Sequence, residues 1–182
     1  VYSVGSPESD YLTVADCLAA LAYHGIDGNT YFELVPGTYD GAYVIKDFPR
    51  TEDYLSVTFR ASGNRNIVLN PSSDSADNNF LFLVEATHNV RFEDFNLSSN
   101  SNSHYLKYFR VLGFCHNISF DNLQITLPQT YSYAIHTGSS LGEGLSIQNC
   151  SFNGSGTAIA VEGSYYDNNR YNNITINSNT FN

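Results

Sequence analysis

Two carboxylates occupy matching places in successive segments of this chain, and an arginine accompanies the first of them. Glu93 follows Arg91 in the segment HNVRFEDFNLS, and Asp121 takes the place of Glu93 in the later segment HNISFDNLQIT. If these segments are neighbouring strands, the two carboxylates lie about 4.8 Å apart on one face of a sheet. Such a pair predicts either acid/base chemistry on a glycosidic bond, which needs carboxyl groups about 5 to 9 Å apart, or oxygen ligands for calcium.

The alternative interpretation is a solvated sheet face that carries one Arg91–Glu93 ion pair, and the sequence favours it. In later segments the place of Arg91 is taken by Ser119, Ser146 and Thr175, and the place of Asp121 by Gln148 and Asn177. The carboxylates therefore give way to amides after two members. A non-catalytic face explains this change better than a catalytic group does.

The segments themselves belong to a repeat. Their first apolar residues are Val90, Ile118, Leu145 and Ile174, at steps of 28, 27 and 29 residues. Within each copy, apolar residues recur at offsets of zero, two, five and seven, which predicts a short strand, a bend and a second short strand. The bend position at offset four holds residue types that tolerate left-handed backbone, namely Asp94, Asn122, Asn149 and Ser178. A strand, a polar bend and a strand in every repeat predict a parallel β-helix.

Composition limits the classes of function. The chain has 182 residues, 42% of them hydrophobic, which suits one domain with a continuous core. Its 18 acidic and 8 basic residues give a formal charge of −10, which argues against nucleic acid and against an anionic membrane surface as partners. No apolar run reaches the roughly 18 residues of a membrane span. The abundance of polar uncharged residues favours a secreted protein or one that contacts carbohydrate.

The three cysteines form no pattern typical of a zinc site or a redox pair. We expect Cys17, Cys115 and Cys150 to be buried free thiols, and a Cys115–Cys150 bridge across one coil is the alternative. His88 and His116 occupy equivalent places two residues before their anchors, which predicts packing at a turn rather than a metal site.

The amino-terminal part predicts a lid on the solenoid. From Val14 to Ala22 apolar residues recur at spacings of three and four, with Thr13 as N-cap, Asp16 three residues later and Gly25 as the stop. One amphipathic helix there would cover the first coil. A strand from Thr30 to Val35 and a sharp corner at Pro36 to Tyr39 are expected to follow.

The segment from Tyr11 to Ile45, with its GIDG turn and PGTY corner, resembles the amino-terminal cap of right-handed β-helix proteins of the pectate-lyase-like superfamily. It is also similar to modules of large bacterial surface proteins exported by type IX secretion. The resemblance implies a right-handed parallel β-helix that is secreted or displayed at the cell surface. It also implies that lyases would need a basic residue and several calcium-binding acids, and that hydrolases would need aspartates on neighbouring coils. This chain shows neither complete set.

Exposed tyrosines are the remaining candidates for binding. Tyrosine rings can stack on sugars, and several lie near the later coils: Tyr131, Tyr133, Tyr165, Tyr166 and Tyr171. The last three belong to an expected insertion at 164–171. Packing between coils is the alternative interpretation. The candidate binding residues are therefore Arg91, Glu93, Asp121, Tyr165, Tyr166 and Tyr171.

Together these observations predict an all-β, right-handed parallel β-helix as a single domain over 1–182, with a cap and first coil in 1–45 and further coils in 46–182. We expect a non-catalytic structural or adhesive module of a bacterial surface protein, with a polysaccharide lyase or glycoside hydrolase as the alternative. No cofactor is predicted, apart from the calcium considered above. The apolar Ile174, Ile176 and Phe181 of the last repeat lead us to expect that the chain continues past Asn182, or that another copy or segment stacks there.

Overall fold

The chain folds into a parallel β-solenoid of about six turns with one helix near its amino end, as a computed structural model shows. The structure describes residues 1–40, 42–70, 79–99, 105–128, 131–138, 142–162 and 171–182. The prediction of a parallel solenoid with an amino-terminal helix is confirmed. None of the helical structure in these ranges combines the length and hydropathy that a membrane-spanning helix requires.

Helix α1 runs over Val14–His24 and begins and ends where the sequence predicts. The hydroxyl of Thr13 accepts a hydrogen bond from the Asp16 amide at 3.1 Å, and the Asp16 carboxylate accepts one from the Thr13 amide at 3.0 Å. This reciprocal pair satisfies two amides that the first helical turn leaves open. Its inner face buries Val14, Cys17 and Leu21 against the solenoid. The apolar stripe therefore fixes which side of the helix covers the first coil.

Nineteen strands lie within the ranges that the structure describes. In chain order they are β1 (Tyr2–Val4), β2 (Thr30–Leu34), β3 (Gly37–Asp40), β4 (Tyr43–Ile45), β5 (Val57–Ala61), β6 (Asn66–Asn70), β7 (Phe80–Glu85), β8 (Val90–Glu93), β9 (Asn96–Ser98), β10 (Lys107–Leu112), β11 (Cys115–Asp121), β12 (Gln124–Leu127), β13 (Tyr133–Thr137), β14 (Gly142–Gln148), β15 (Ser151–Gly154), β16 (Thr157–Val161), β17 (Tyr171–Asn172), β18 (Thr175–Asn177) and β19 (Thr180–Phe181).

The strands form three parallel sheets, and each full coil gives one strand to each sheet. The first sheet is ordered β1-β2-β5-β8-β11-β14, with β17 and β18 both pairing with β14. The second sheet is ordered β3-β6-β9-β12-β15-β19, and the third β4-β7-β10-β13-β16. Because successive coils pair in register, equivalent residues of neighbouring coils form columns along the solenoid.

The core is filled by such columns of apolar side chains. In the first sheet the rings of Phe32, Phe59, Phe92 and Phe120 stack at centroid distances of 5.3, 5.6 and 5.4 Å. Phe82 and Phe109 of the third sheet pack on Phe92 from the other side, at 5.2 and 4.6 Å. Stacked aromatic pairs add to the free energy gained by burial. The apolar residues at offset two of the repeat thus hold the coils in register.

Polar residues form the bend between the first and second sheets. The φ angles at Asp94, Asn122, Asn149 and Ser178 are 60°, 53°, 55° and 56°. All four lie in the left-handed region, as the residue types at offset four predict. The Asn122 side chain also donates to the Asp94 carboxylate of the preceding coil at 2.7 Å. The bend is therefore fixed both by backbone preference and by contact between coils.

The segment from Pro36 to Tyr39 differs from its expected form. The sequence suggests a corner throughout, but the structure places strand β3 from Gly37 onward, paired in parallel with β6. The Tyr39 side chain is buried, and its hydroxyl donates to the Val35 carbonyl at 2.7 Å. The chain changes direction before Gly37, and the residues after it complete the second sheet.

The three cysteines are free and buried, so the primary expectation is confirmed and the alternative Cys115–Cys150 bridge is not formed. At the last coil, Ile174, Ile176 and Phe181 are 37%, 48% and 58% exposed. The stacking partner expected there stays a prediction.

Candidate functional site

An open groove of about 400 Å³ crosses the outer face of the first sheet. It spans β8, β11 and β14, so three successive coils contribute to it. Its lining is mostly hydroxyl, amide and charged groups: Asn89, Arg91, Glu93, Asn117, Ser119, Phe120, Asp121, Gly144, Ser146 and Gln148. The groove therefore contains the Arg91, Glu93 and Asp121 candidates that the sequence identifies.

The pairing register places these side chains in two columns. Glu93 lies opposite Asp121, and Asp121 opposite Gln148. In the other column Arg91 lies opposite Ser119, which lies opposite Ser146. Members of a column are one strand spacing apart, about 4.8 Å. The adjacency of Glu93 and Asp121 that the repeat predicts is therefore present in the fold.

Both columns continue into two earlier coils that the repeat alignment misses. Thr58 and Arg60 of β5 pair with Arg91 and Glu93, and Tyr31 and Glu33 of β2 pair with Thr58 and Arg60. In each of these strands the two column residues flank an inward phenylalanine. That residue pattern was visible in the sequence. The repeat alignment does not include these strands, because the spacing from Val57 to Val90 is longer than the step between later repeats.

Arg60 is engaged on the side away from Glu93. Its Nε donates to Glu33 Oε1 at 2.9 Å, a terminal nitrogen contacts the same oxygen, and its guanidinium lies 4.8 Å from the centre of the Tyr31 ring. These contacts combine an ion pair with a cation–π interaction. Arg60 is thus held towards the amino-terminal end of the column.

The negative charges of Glu93 and Asp121 are less well compensated by cations than that of Glu33 is. Within the described ranges, neither Glu93 nor Asp121 forms a salt bridge, and the expected Arg91–Glu93 pair is absent. Burial raises the pKa of Glu93, and the negative charges of Asp121 and Asp94 raise it further, against the opposing effect of Arg91 and Arg60. The solvated-face interpretation is therefore wrong about its ion pair.

Asparagines fix the geometry of the groove wall. Asn117 donates to Asn89 Oδ1 at 3.0 Å, and Asn149 donates to Asp121 Oδ1 at 2.8 Å. In the next coil the place of Asn117 belongs to Gly144, where a Cβ atom would lie 2.6 Å from the Asn117 side chain. Its φ of 75° favours glycine independently. The amide column is therefore interrupted at β14, where the groove ends in Ser146 and Gln148.

The described residues contain no group of three or more histidine, cysteine or acidic side chains arranged to hold a metal ion. Glu93 and Asp121 supply two carboxylates, whereas calcium takes six to eight oxygen ligands. For acid/base catalysis the pair offers one carboxyl with a raised pKa beside a second carboxyl. That arrangement is compatible with the alternative function, but it lacks the further acids or base that the resemblance implies for the enzymes.

The tyrosine candidates are placed differently from one another. Tyr165 and Tyr166 lie outside the described residues. Tyr171 is only 8% exposed, packs over Gly142, and donates from its hydroxyl to the Cys115 carbonyl at 3.4 Å. The Tyr171 ring is part of the core of the last coil, so it does not offer the exposed stacking face that we expected. Tyr131, by contrast, is 57% exposed.

His88 and His116 form a parallel bridge between successive coils; His88 lies just before β8, and His116 is the second residue of β11. His88 Nδ1 lies 3.9 Å from Asp47, and burial together with the charge of Arg50 lowers the pKa of His88. Arg50 donates to the His88 carbonyl at 3.1 Å. The two histidines are therefore neighbours in successive coils, as the repeat predicts, although His116 lies within a strand rather than at a turn.

No family model matches the chain, and no curated protein or solved structure gives a significant match.

Proposed function

We propose that this chain is a non-catalytic, glycan-binding module of a secreted bacterial surface protein. The observation that carries the proposal is the open groove of about 400 Å³ on the first sheet, in which three coils present polar side chains in register. The parallel solenoid supplies a rigid support for it. An adhesive module needs both a rigid scaffold and an accessible polar surface. The solenoid provides the scaffold, and the groove provides the surface.

The chemistry of the lining favours carbohydrate. Amides and hydroxyls can both donate and accept hydrogen bonds, as the hydroxyl groups of a sugar require. Side chains of these types recur along the groove at Asn117, Ser119, Ser146 and Gln148. A polymer of repeated sugar units can meet this series of equivalent groups in an extended form. The groove is shallow, which suits the side of a chain better than a compact small molecule.

Charge narrows the class of glycan. The protein carries a formal charge of −10, and the groove holds Glu93 and Asp121 against Arg91 alone. Binding a polyanion such as a uronic acid polymer would therefore be opposed by like charge. A neutral or cationic glycan avoids this cost. Nucleic acid is disfavoured for the same reason.

Secretion and surface display form part of the proposal. Support comes from the polar uncharged composition and from the resemblance of Tyr11 to Ile45 to caps of pectate-lyase-like β-helices and of type IX modules. The solenoid fold is consistent with that resemblance.

A second candidate function is hydrolysis or lyase cleavage of a polysaccharide. The observation that favours it is the raised pKa of Glu93 beside Asp121, since unequal carboxyl pKa values allow one group to act as acid while the other stays ionised. Glu93 would donate a proton to the leaving oxygen, and Asp121 would act as nucleophile or base.

A glycan array tests the first candidate. We expect binding to a defined set of glycans, and we expect the double substitution Ser146→Ala and Gln148→Ala to weaken it. The matched control is Gln124→Ala with Thr126→Ala, which alters exposed residues of β12 on the second sheet. Failure of every glycan to bind above background, or equal loss in both variants, would overturn the proposal. Assays for new reducing ends and for unsaturated products report on the second candidate, which requires turnover that Glu93→Gln abolishes.

A further inference from the structure

The groove contains two neighbouring carboxylates that form no ion pair with any cation among the described residues. Arg60 is in register with Glu93 on one side, just as Asp121 is on the other. Arg60 nevertheless forms its ion pair with Glu33 and lies over the Tyr31 ring. The column thus contains a cation directly beside Glu93, but that cation is committed to the preceding coil.

The charge of Arg91 opposes the rise in the pKa of Glu93, but Arg91 forms no ion pair with either carboxylate. It is exposed, belongs to the other column of the groove, and forms no salt bridge within the ranges that the structure describes. Glu93 and Asp121 are both partly buried. Carboxylates that are partly removed from water and stand one strand spacing apart repel each other unless a cation lies between them. The groove therefore favours a ligand that brings positive charge to this point.

Two features of the groove describe the rest of the ligand. The cavity continues past the carboxylates to Ser146 and Gln148, which offer hydroxyl and amide groups but no charge. The carboxylate of Asp121 is oriented by the Asn149 amide at 2.8 Å, which leaves lone pairs on its oxygens for a further donor. A ligand that fills the groove thus needs a compact cationic donor at one end and neutral hydroxyl groups along the remainder.

We propose that the groove recognises a glycan with free amino groups, whose ammonium group is held between Glu93 and Asp121. The inference rests on the proposed function and adds the substrate class to it. An ammonium group has three donors and one charge on a small centre. It fits two carboxylates at one strand spacing, while the adjacent sugar hydroxyls face Ser119, Ser146 and Gln148. A calcium ion would need several more oxygen ligands than the pair supplies.

The experiment compares three hexamers with the same β-1,4 linkage, which differ only at carbon 2: glucosamine, N-acetylglucosamine and glucose. Isothermal titration calorimetry at about pH 6 lies above the ordinary pKa of carboxyl groups and below that of amino groups. We expect the glucosamine hexamer to bind at least about fivefold more tightly than either neutral hexamer, since two partly exposed ion pairs give a modest gain. The preference should fall as salt is added.

Two variants separate recognition in the groove from attraction to an acidic protein. Glu93→Gln with Asp121→Asn should remove the preference for glucosamine, so that the affinity for the glucosamine hexamer falls to that for the neutral hexamers. Glu8→Gln with Asp27→Asn removes the same charge from exposed sites in the amino-terminal cap and should keep the preference. An equal loss in both variants would overturn the inference, because general attraction would then explain the binding.

The outcomes also distinguish the inference from the function on which it rests. If all three hexamers bind equally, or the neutral ones bind better, the amino-sugar inference fails and the glycan-binding function stands. If none of them binds and no glycan binds on an array, the proposed function fails. Titration of the protein with calcium chloride alone is the remaining measurement. Calcium binding that the Glu93 and Asp121 substitutions abolish would overturn the ammonium assignment.

Discussion

Asn179 is bonded to the backbone around Cys150 in the preceding coil. The Cys150 amide donates to Asn179 Oδ1 at 2.8 Å, and Asn179 Nδ2 donates to the Ile147 carbonyl at 2.9 Å. Equivalent places in other coils hold the buried Phe95, Leu123 and Cys150 itself. The last repeat thus replaces an apolar core residue by an amide that satisfies two backbone groups.

Asn179→Ala should destabilise the last two coils by about 1–3 kcal/mol, because it leaves a buried amide and carbonyl without partners. The measurement is amide hydrogen exchange at Cys150, which should become faster in the variant. Asn177→Ala, at an exposed position of β18, serves as control and should change this exchange little. Unchanged protection at Cys150 after Asn179→Ala would contradict the role of the amide.

The left-handed bend at Asn122 predicts an unusual order of substitutions. Asn122 has a φ of 53°, which costs an alanine about 1–2 kcal/mol but costs glycine little. Asn122→Gly should therefore be more stable than Asn122→Ala in thermal unfolding, although glycine lowers stability at most other places. Both variants lose the hydrogen bond to Asp94, so the difference between their stabilities reports the cost of the left-handed backbone alone. The reverse order would show that the bend relaxes.

Arg50 should be essential to the turn that joins the first full coil to the second. Its side chain is 4% exposed and donates to the carbonyls of His88 at 3.1 Å and Leu55 at 3.4 Å. Arg50→Ala should cost about 2–4 kcal/mol, because two carbonyls lose a charged donor. Urea unfolding measures the loss. Asp47→Asn, which removes only the 64% exposed partner of Arg50, should cost less than about 1 kcal/mol.

The thiols should be inert while the protein is folded. Burial raises the pKa of Cys17 to about 12 and that of Cys150 to about 11, and it also raises the pKa of Cys115. Since the thiolate is the reactive form, labelling by iodoacetamide near pH 8 should be slow for all three. Labelling should become complete in denaturant. Rapid alkylation of native Cys150 would mean that its coil opens readily.

Glu93→Gln should stabilise the protein at neutral pH and have little effect in acid. The pKa of Glu93 is raised in the folded protein, so its stabilising contribution is present below the ordinary pKa and is lost as pH rises through the folded value. A neutral glutamine avoids that loss. The melting temperatures of both proteins, measured from about pH 3 to pH 7, should diverge upward from the ordinary glutamate range. Parallel curves would show that Glu93 experiences no net destabilisation in the groove.

Local signals in the sequence were sufficient to predict the amino-terminal cap and the later coils. The extent of α1 follows from Thr13, Asp16 and Gly25 because capping contacts involve residues only a few places apart. The adjacency of Glu93 and Asp121 follows from a nearly constant step between repeats. A constant step converts sequence distance directly into spatial register.

Other features of the fold and the groove could not be predicted, because they depend on contacts that a repeat alignment does not contain. The sequence repeat does not place Arg60 in the column, because the step between its coil and the next is longer than the later steps; the pairing of β5 with β8 does. The burial of Tyr171 arises from the space above Gly142 in the coil before it. Likewise, the partners of Asn179 are backbone groups, which carry no sequence signature.

The in-register columns also determine how such a protein can change. Each full coil from β8 onward gives the groove one residue in each column, so duplication of a coil would lengthen the binding surface by one strand spacing and keep the contacts of its neighbours. A single inserted residue within a strand would instead turn every later side chain of that strand to the opposite face. Variation in ligand length is therefore accessible by whole-coil recombination, while variation in ligand charge needs only a point substitution at one column position.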